Sequence, residues 1–328
     1  LVDRMERETL VFTGNEAIPW LQGLVTNDLL DLVEEGAGQW NCVTNVNGRM
    51  IGDMRLLHVP ELLLADLEPA SLNDGVMSHF RQQIIMEDVT LTDRTETTGR
   101  LGMFGPQAAA ILGSAVSLKD DPSALGEFEG TWGRIAGADV IVQAVPVAGE
   151  PGFDISFDRD RARAVWQALE EAGGESVAPV GHDALETLRI ETGVPRFGVE
   201  TGDEVIPLEA NLRHLISFDK GCYLGQEIIA RLDTRGTPAK RLRTLVFDGG
   251  AAPAVEADIE PEGGGREVGG VVSSVWSPLL DAPIALGYVK RRHYDVGGTV
   301  EVEGREARVE ELGFPLSAAA DQRSEAAS

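Results

Sequence analysis

The chain has 328 residues, 43% of them hydrophobic, which is enough for two or three packed domains. Its 54 acidic and 28 basic residues give a net charge of −26, which argues against a nucleic-acid-binding or membrane-surface protein. No segment approaches the roughly 20 apolar residues that cross a bilayer, and no basic stretch followed by an apolar one opens the chain, so we expect a cytoplasmic protein that does not span a membrane.

The first half of the chain alternates predicted strands with short helices. Val76, Phe80 and Ile84, which are spaced by four, predict a helix over residues 72–86. Alternating apolar residues predict strands at 9–13, 39–46, 55–59, 62–66, 89–92 and 101–104, and helical patterns cover 18–24 and an alanine-rich stretch after Gly105-Pro106. The pattern indicates mixed α and β structure.

The second half changes from helices to short strands. Asp160 is a plausible N-cap for a helix that stops at Gly173-Gly174, and a further helix covers residues 183–191. Beyond residue 240, short β runs separated by glycine-rich turns predict a small barrel or sandwich. We therefore predict an α+β body over 1–240, an all-β domain over 241–316 and a disordered polar tail over 317–328.

A motif around residues 220–227, K-G-C-Y-L-G-Q-E, contains one of the two cysteines. Lys220, Arg231 and Arg235 add positive charge around Cys222, and nearby cations favour the nucleophilic thiolate. Cys222 is therefore the leading candidate for a reactive residue. The alternative is that Cys222 is a small buried hydrophobic residue and that the glycines mark a turn.

This motif, followed by an arginine four residues after the glutamate, resembles the signature of the YgfZ family. YgfZ proteins are folate-binding relatives of the glycine-cleavage T-protein GcvT, an aminomethyltransferase. The resemblance implies a GcvT-like body of two ferredoxin-like subdomains around a central hole that holds folate, followed by a C-terminal β-barrel. This arrangement agrees with the α+β body and the β-rich region predicted from the residue pattern.

The segment G-R-M-I-G-D-M at residues 48–54 resembles the place where aminomethyltransferases carry two adjacent aspartates. This chain keeps Asp53 and has Gly52 in place of the first aspartate. The resemblance implies a catalytic role for Asp53. Because a glycine can neither act as a base nor stabilise a developing cation, the substitution argues against the T-protein mechanism and is similar to the YgfZ branch.

Other segments of the chain resemble folate-contacting segments of the superfamily. G-E-P-G-F-D at residues 149–154 implies that Asp154 binds the pterin ring, and a carboxylate suits two adjacent N–H donors. The alternative is an exposed aspartate on a strand. Arg189, in R-I-E-T-G-V-P, is implied to contact folate, whose glutamyl carboxylates an arginine can bind bidentately, although a surface capping charge is the alternative.

Three further residues complete the predicted folate-binding set. Glu209 lies in a P-L-E-A segment and is expected to orient its neighbours, and Lys220 and Tyr223 belong to the cysteine motif. The L-Q-G-L-V-T-N-D segment at residues 21–28 also resembles the superfamily and is interpreted as a structural turn. The histidines and cysteines show no HxxxH or CxxC spacing, so no metal site is predicted.

The resemblance implies a tetrahydrofolate-binding accessory factor for iron–sulfur cluster assembly or repair, with iron–sulfur proteins or their assembly machinery as partners. Two cysteines fall short of the about four that hold a common cluster, so any cluster involvement is transient, shared or indirect. The alternative is a tetrahydrofolate-dependent aminomethyltransferase, supported by Asp53, Asp154 and Arg189. A third possibility is a binding module that uses the inherited hole for another small ligand. Whether the protein is an enzyme stays open.

Overall fold

The computed structural model describes residues 1–69, 71–146 and 151–315, without the side chains of Asp74 and Arg235. The chain divides into two compact units. The first unit comprises Leu1–Pro146, the described part of Glu150–His182, and Leu215–Gln226; the second comprises Asp183–His214 and the described part of Glu227–Ser328. The tail predicted from residue 317 lies outside the described residues, and the predicted boundaries at 240 and 316 stay predictions.

The first unit contains two antiparallel sheets. Its strands are β1 (Val2–Asp3), β2 (Glu8–Thr13), β3 (Gly38–Thr44), β4 (Met50–Val59), β5 (Leu62–Leu67), β6 (Thr90–Asp93), β7 (Thr98–Phe104), β8 (Ser117–Leu118), β9 (Gly130–Ile135), β10 (Ala138–Ala144) and β11 (Gly152–Asp158). One sheet has the strand order β3-β4-β5-β2-β6, and the other has the order β1-β7-β11-β10-β9-β8.

Helices cover one face of each sheet. They are α1 (Ala17–Gln22), a π-helical segment (Leu72–Val76) that leads into α2 (Met77–Gln83), α3 (Ala108–Ala115) and α4 (Ala162–Gly173). Leu10, Met54 and Ala65 of the first sheet share a buried core with Trp20 and Phe80 of α1 and α2. The second sheet forms its own core with α3 and α4. Each sheet therefore has one apolar face fixed against its own helices.

Two sequence predictions differ from the structure in this unit. The helix predicted over 72–86 is kinked at Gly75, whose φ is 133°, and α2 ends at Gln83, so that Ile85 and Met86 are exposed. Asp160 lies inside a 3-10 turn (Arg159–Arg161) and does not cap α4, whose N-cap residue Arg161 makes no side-chain capping bond. A glycine with positive φ interrupts a helical pattern that side-chain spacing alone extends.

The second unit contains nearly all of α5 (His182–Thr192) and α6 (Gln226–Arg235), together with a closed six-stranded barrel. The barrel strands are β12 (Lys240–Val246), β13 (Asp258–Pro261), β14 (Gly269–Ser277), β15 (Ala282–Lys290), β16 (Thr299–Val302) and β17 (Arg305–Glu310). They close in the order β12-β15-β14-β13-β16-β17 around Leu245, Phe247, Ile259, Val271 and Val309. The predicted C-terminal all-β barrel is confirmed.

We found no helix in the described part of the chain that is long and apolar enough to cross a membrane.

Candidate functional site

The faces of the two sheets that carry no helices also bury their side chains. Along β4 and β5, Met54, Leu56 and Ala65 point to the helices, and the alternate positions Arg55 and Asp66 are buried as well. Contacts from these alternate positions reach the second sheet, where Arg100 of β7 bonds to Asp66. The two sheets therefore enclose a charged layer within the first unit.

The charged layer contains four arginines and four carboxylates. Asp66 is its centre: it accepts a hydrogen bond from Arg7 Nε at 2.6 Å and one from Arg55 Nη1 at 3.3 Å, and Arg100 also donates to it. Arg7 donates to Glu68 too. The members are Arg4, Arg7, Arg55, Arg100, Asp53, Asp66, Glu68 and Asp154, all less than a tenth exposed. The layer therefore holds equal numbers of basic and acidic groups, and their mutual attraction offsets part of the cost of burying them.

The pKa values of these groups depend on the charges of their neighbours. Burial alone would raise the pKa of Glu68, but the guanidiniums of Arg7 and Arg55 bring it down to about 2. Burial lowers the pKa of Arg55 to about 10, and the positive charges of Arg7 and Arg4 act in the same direction. The cluster is therefore a single coupled group in an environment of low polarity.

Asp154 has unused hydrogen-bonding capacity inside this cluster. It lies on β11, where Phe153 and Ile155 face the helices and Asp154 faces the opposite sheet. Arg4 Nη1 is 3.4 Å from Asp154 Oδ1, and Arg55 Nη1 is 3.6 Å from Asp154 Oδ2. Neither Asp154 oxygen accepts a hydrogen bond from a described residue, and Arg4 Nε and Nη1 donate none. Gly149 and Glu150, which belong to the same predicted segment, lie outside the described residues.

Asp53 lies at the end of the cluster nearest β3. Its Oδ1 accepts a hydrogen bond of 3.0 Å from Trp40 Nε1, and Trp40 in turn packs against Arg55. Burial and the negative charge of Glu68 raise the pKa of Asp53 to about 6, against the lowering effect of the Trp40 hydrogen bond and of Arg55. A carboxyl group with a pKa near neutrality is suited to proton transfer.

Gly52 occupies the position where aminomethyltransferases carry an aspartate. A Cβ atom placed on Gly52 would lie 2.5 Å from Val76 Cγ2. Val76 belongs to the core between the first sheet and its helices, so this position points away from the charged layer. The loss of the first aspartate is therefore accompanied by a hydrophobic side chain in its space.

The cysteine motif packs against the C-terminal end of β3. Thr44 Oγ1 donates to the Leu224 carbonyl at 2.6 Å, and Gly225 has a φ of 86°. A Cβ atom on Gly225 would lie 2.5 Å from the Asn45 carbonyl oxygen, so this glycine of the motif is required by both conformation and space.

Lys220 connects the cysteine motif to the turn after α1. Its buried ammonium group donates to the carbonyls of Gln22, Val25 and Asn27 at 2.7, 2.9 and 2.7 Å. Burial lowers the pKa of Lys220 to about 8. All three N–H donors are used, so Lys220 holds the L-Q-G-L-V-T-N-D segment against the cysteine motif. Its predicted contact with folate stays a prediction.

The two cysteines have opposite environments. Cys222 is exposed, which excludes the alternative of a buried hydrophobic residue. Cys42 is fully buried on β3 opposite Asp53 of β4, and burial, followed by the charge of Asp53, raises the pKa of Cys42 well above its usual value. Burial, followed by Cys42, raises the pKa of Tyr223 to about 12. Tyr223 and Asp53 are therefore both neighbours of Cys42, whereas Cys222 faces solvent.

Arg189 and Glu209 belong to the second unit. Arg189 donates to both carboxylate oxygens of Glu200 and of Glu186, and Nη1 also donates to the Val194 carbonyl. Burial opposes the positive charge, but these carboxylates raise the pKa of Arg189. A folate contact would require Arg189 to give up one of these bonds. Glu209 accepts a hydrogen bond from the Ile206 amide at 3.2 Å, in keeping with an orienting role.

The remaining predicted cations around Cys222, Arg231 and Arg235, also belong to the second unit, and the side chain of Arg235 is not described. Their proposed influence on the thiol stays a prediction. Within 1–69, 71–146 and 151–315, no group of three or more His, Cys, Asp or Glu side chains is placed to hold a metal ion.

Sequence patterns did not predict the charged layer, which contains most of the buried charges in the described part of the first unit. Arg4, Arg7, Arg55, Arg100 and Asp66 were not singled out. The available signal was the repeated pattern of a charged residue between two apolar ones, as in Met54-Arg55-Leu56, Ala65-Asp66-Leu67 and Gly99-Arg100-Leu101. In an antiparallel sheet with one face packed on the core, such charged residues are usually interpreted as lying on the face exposed to solvent.

Comparisons with known proteins agree with this fold. Residues 1–220 match the GCVT N-terminal domain, and residues 240–311 match the glycine cleavage T-protein C-terminal barrel domain. An aminomethyltransferase of Chlorobium chlorochromatii is 30% identical over 296 residues, which cover 90% of this chain and 80% of that protein. An aminomethyltransferase of Desulfitobacterium hafniense is 27% identical over 290 residues, covering 88% and 78%.

The crystal structure of the glycine cleavage system aminomethyltransferase T from Bartonella henselae is similar in fold, with a TM-score of 0.84 and 21% identity over 95% of this chain and 85% of that one. The predicted α+β class, with a GcvT-like body and a C-terminal barrel, is confirmed; the central hole stays a prediction. Because the N-terminal domain match alone covers more than half of the sequence, the chain belongs to the GcvT family.

Proposed function

We propose that the protein binds tetrahydrofolate in the charged layer of the first unit and acts as a folate-dependent transferase of one-carbon groups, of the aminomethyltransferase type. The observation that carries the proposal is Asp154: both of its oxygens are buried and neither accepts a hydrogen bond from a described residue. The similarity to proteins named aminomethyltransferases supports the same reaction class.

The residues of the layer fit a reduced folate. A pterin ring presents an amino group beside a ring N–H, and a carboxylate can accept both donors with its two oxygens. Asp154 offers two such oxygens, since its arginine neighbours lie at 3.4 and 3.6 Å and form no hydrogen bonds to it. Asp154 would therefore hold the pterin ring, and Arg55, which approaches both Asp66 and Asp154, would fix the position of the carboxylate.

When bound, tetrahydrofolate would supply the nitrogen atoms that accept the one-carbon unit. Asp53 would accept and donate the proton that moves during the transfer. Trp40 donates to Oδ1, which leaves Oδ2 as the oxygen that would carry this proton. With a pKa of about 6, Asp53 can release and regain a proton near neutral pH at small cost. The buried arginines around it would stabilise the carboxylate form after the proton has left.

Transfer from a lipoyl-linked aminomethyl donor tests this proposal. We expect ammonia and methylene-tetrahydrofolate to form only when donor, tetrahydrofolate and protein are all present. The Asp53→Asn variant, which keeps the size of the side chain, serves as the control and is expected to lose most of the rate. Tetrahydrofolate binding without any turnover would contradict the transferase proposal and would favour the second candidate.

The second candidate is the function of the YgfZ branch, an accessory factor in iron–sulfur cluster assembly or repair that acts on iron–sulfur client proteins. Two observations favour it. Cys222 is exposed within a motif whose lysine and second glycine are both held by the fold, and the first aspartate of the aminomethyltransferases is absent. In this candidate Cys222 is the reactive group and folate remains bound at Asp154.

Complementation distinguishes the second candidate from the first. A strain that lacks its YgfZ protein would be rescued by the wild type and not by Cys222→Ser. Rescue by both would remove Cys222 from the mechanism, and rescue by neither would argue against the accessory function. The predicted folate contact of Arg189 and the predicted orienting role of Glu209 stay predictions.

A further inference from the structure

Arg4 differs from the other three arginines of the charged layer. Arg7, Arg55 and Arg100 each donate a hydrogen bond to a carboxylate of the cluster. Arg4 is 3% exposed, yet its Nε and Nη1 donate to no described residue. Its guanidinium packs over the ring of Phe104 at 5.8 Å, and its nearest carboxylate oxygen is Asp154 Oδ1 at 3.4 Å.

A buried guanidinium in which Nε and Nη1 make no hydrogen bond is unfavourable unless a ligand accepts from them. Burial lowers the pKa of Arg4, in keeping with incomplete compensation by Asp154. The unused donors of Arg4 are next to the unused acceptors of Asp154. A ligand that satisfies both residues must carry an acceptor directly beside donors.

The 4-oxo pterin ring has this order of groups along one edge: the carbonyl oxygen on C4, then N3–H, then the amino group on C2. On the basis of the proposed folate binding, we propose that Arg4 is a specificity residue that donates a hydrogen bond to the C4 carbonyl oxygen while Asp154 accepts from N3–H and the 2-amino group. The pair then selects 4-oxo pterins over 4-amino pterins. A 4-amino group would place a donor against the Arg4 cation, and N3 would lose its hydrogen.

Calorimetric titration with tetrahydrofolate and with the tetrahydro form of its 4-amino-4-deoxy analogue tests this inference without an activity assay. We expect the wild type to bind the 4-oxo compound at least about tenfold more tightly, the range that follows from leaving a buried polar group unpaired. Arg4→Met is expected to reduce this ratio several-fold, down to the part of the preference that Asp154 alone supplies. Arg4→Lys, which keeps a charged donor, is expected to retain more of the preference than Arg4→Met.

The control is Arg134→Met, which removes an exposed arginine paired with Asp139 and is expected to leave the ratio unchanged. A wild type that binds the 4-amino compound equally or more tightly overturns the inference, whether or not the Arg4 variants fold. An unchanged ratio in a folded Arg4→Met protein also overturns it. In both cases folate binding itself stands, whereas a wild type that binds neither compound overturns the proposed function as well.

Discussion

Each unit of the molecule contains a buried arginine next to carboxylates. The two arginines, Arg189 and Arg4, differ in how many of their hydrogen-bond donors are used. In the second unit, Arg189 donates to Glu186, Glu200 and the Val194 carbonyl, and Ser273 donates a further hydrogen bond to Glu200. In the first unit, Arg4 and Asp154 are 3.4 Å apart and leave buried donors and acceptors unused. A saturated cluster stabilises the fold, whereas an unsaturated one is prepared to bind.

The use of hydrogen-bonding groups distinguishes Asp154 from Arg189, for which the family resemblance implies the same folate-binding role. Asp154 and Arg189 both match folate-contacting segments, but only Asp154 has free capacity among the described residues. A match to a motif gives the residue type and its place in the chain. The hydrogen bonds around that residue decide whether it is available to a ligand.

Removal of Arg189 provides the largest expected effect. Arg189→Met should lower the free energy of unfolding by about 3 to 5 kcal/mol, because Glu200, whose side chain is fully buried, would lose its cation. Chemical denaturation measures this, and Arg213→Met is the matched control, since it removes an exposed pair with Asp233 and should change stability little. If Arg189→Met were as stable as the wild type but no longer bound folate, Arg189 would be a ligand-binding residue and not a stabilising one.

The pH dependence of stability sharpens the description of the first unit. The folded pKa of Asp53 is about 6, above its usual value of 3.8, so the folded state holds the proton more tightly than the unfolded state. This contribution to stability is full below pH 3.8 and is lost as the pH rises through 6. Between pH 5 and pH 7.5 the wild type should therefore lose about 1.4 kcal/mol relative to Asp53→Asn. Chemical denaturation at several pH values measures this difference. If the free energies of unfolding of the two proteins changed equally with pH across this range, the raised pKa of Asp53 would be contradicted.

Cys222 gives the smallest expected effect on stability, and Cys42 provides the contrast. Cys222→Ser should change the free energy of unfolding by less than about 0.5 kcal/mol, because the side chain is exposed. Cys42→Ser is the fully buried counterpart and should cost about 1 to 3 kcal/mol, because a more polar hydroxyl group would replace a buried thiol. Denaturation of both variants measures the contrast. Equal losses would mean that Cys222 is also part of the packing.

Sequence patterns predicted those parts of the fold in which one face is apolar. Five of the six barrel strands and the helix-covered faces of both sheets follow from alternation and from helical spacing. Helix α6 was missed because its sequence, Q-E-I-I-A-R-L-D-T-R, has few apolar residues and several charges. Strand β13 was missed because its four residues, D-I-E-P, contain a single large apolar side chain.

The candidate site was predicted only in part. Asp53 and Asp154 were found by resemblance, and the structure places both in one electrostatic cluster, in which Arg7 interacts with each. The arginines of that cluster could not be found from local pattern, because a charged residue that alternates with apolar ones has the same pattern whether its side faces water or a second sheet. The contacts of Lys220 were equally hidden, since its carbonyl partners are in the turn after α1.

The most direct test of the account is calorimetric titration of tetrahydrofolate into the wild type and into Asp154→Asn, which keeps the shape of the side chain and removes its charge. Because the amide replaces one acceptor by a donor, we expect tetrahydrofolate to bind more weakly, with a loss of about 1 to 3 kcal/mol in binding free energy. We expect no comparable loss in Arg134→Met. Equal affinities of the wild type and Asp154→Asn for tetrahydrofolate would contradict the claim that the buried carboxylate of Asp154, which accepts no hydrogen bond from a described residue, is the folate-binding group.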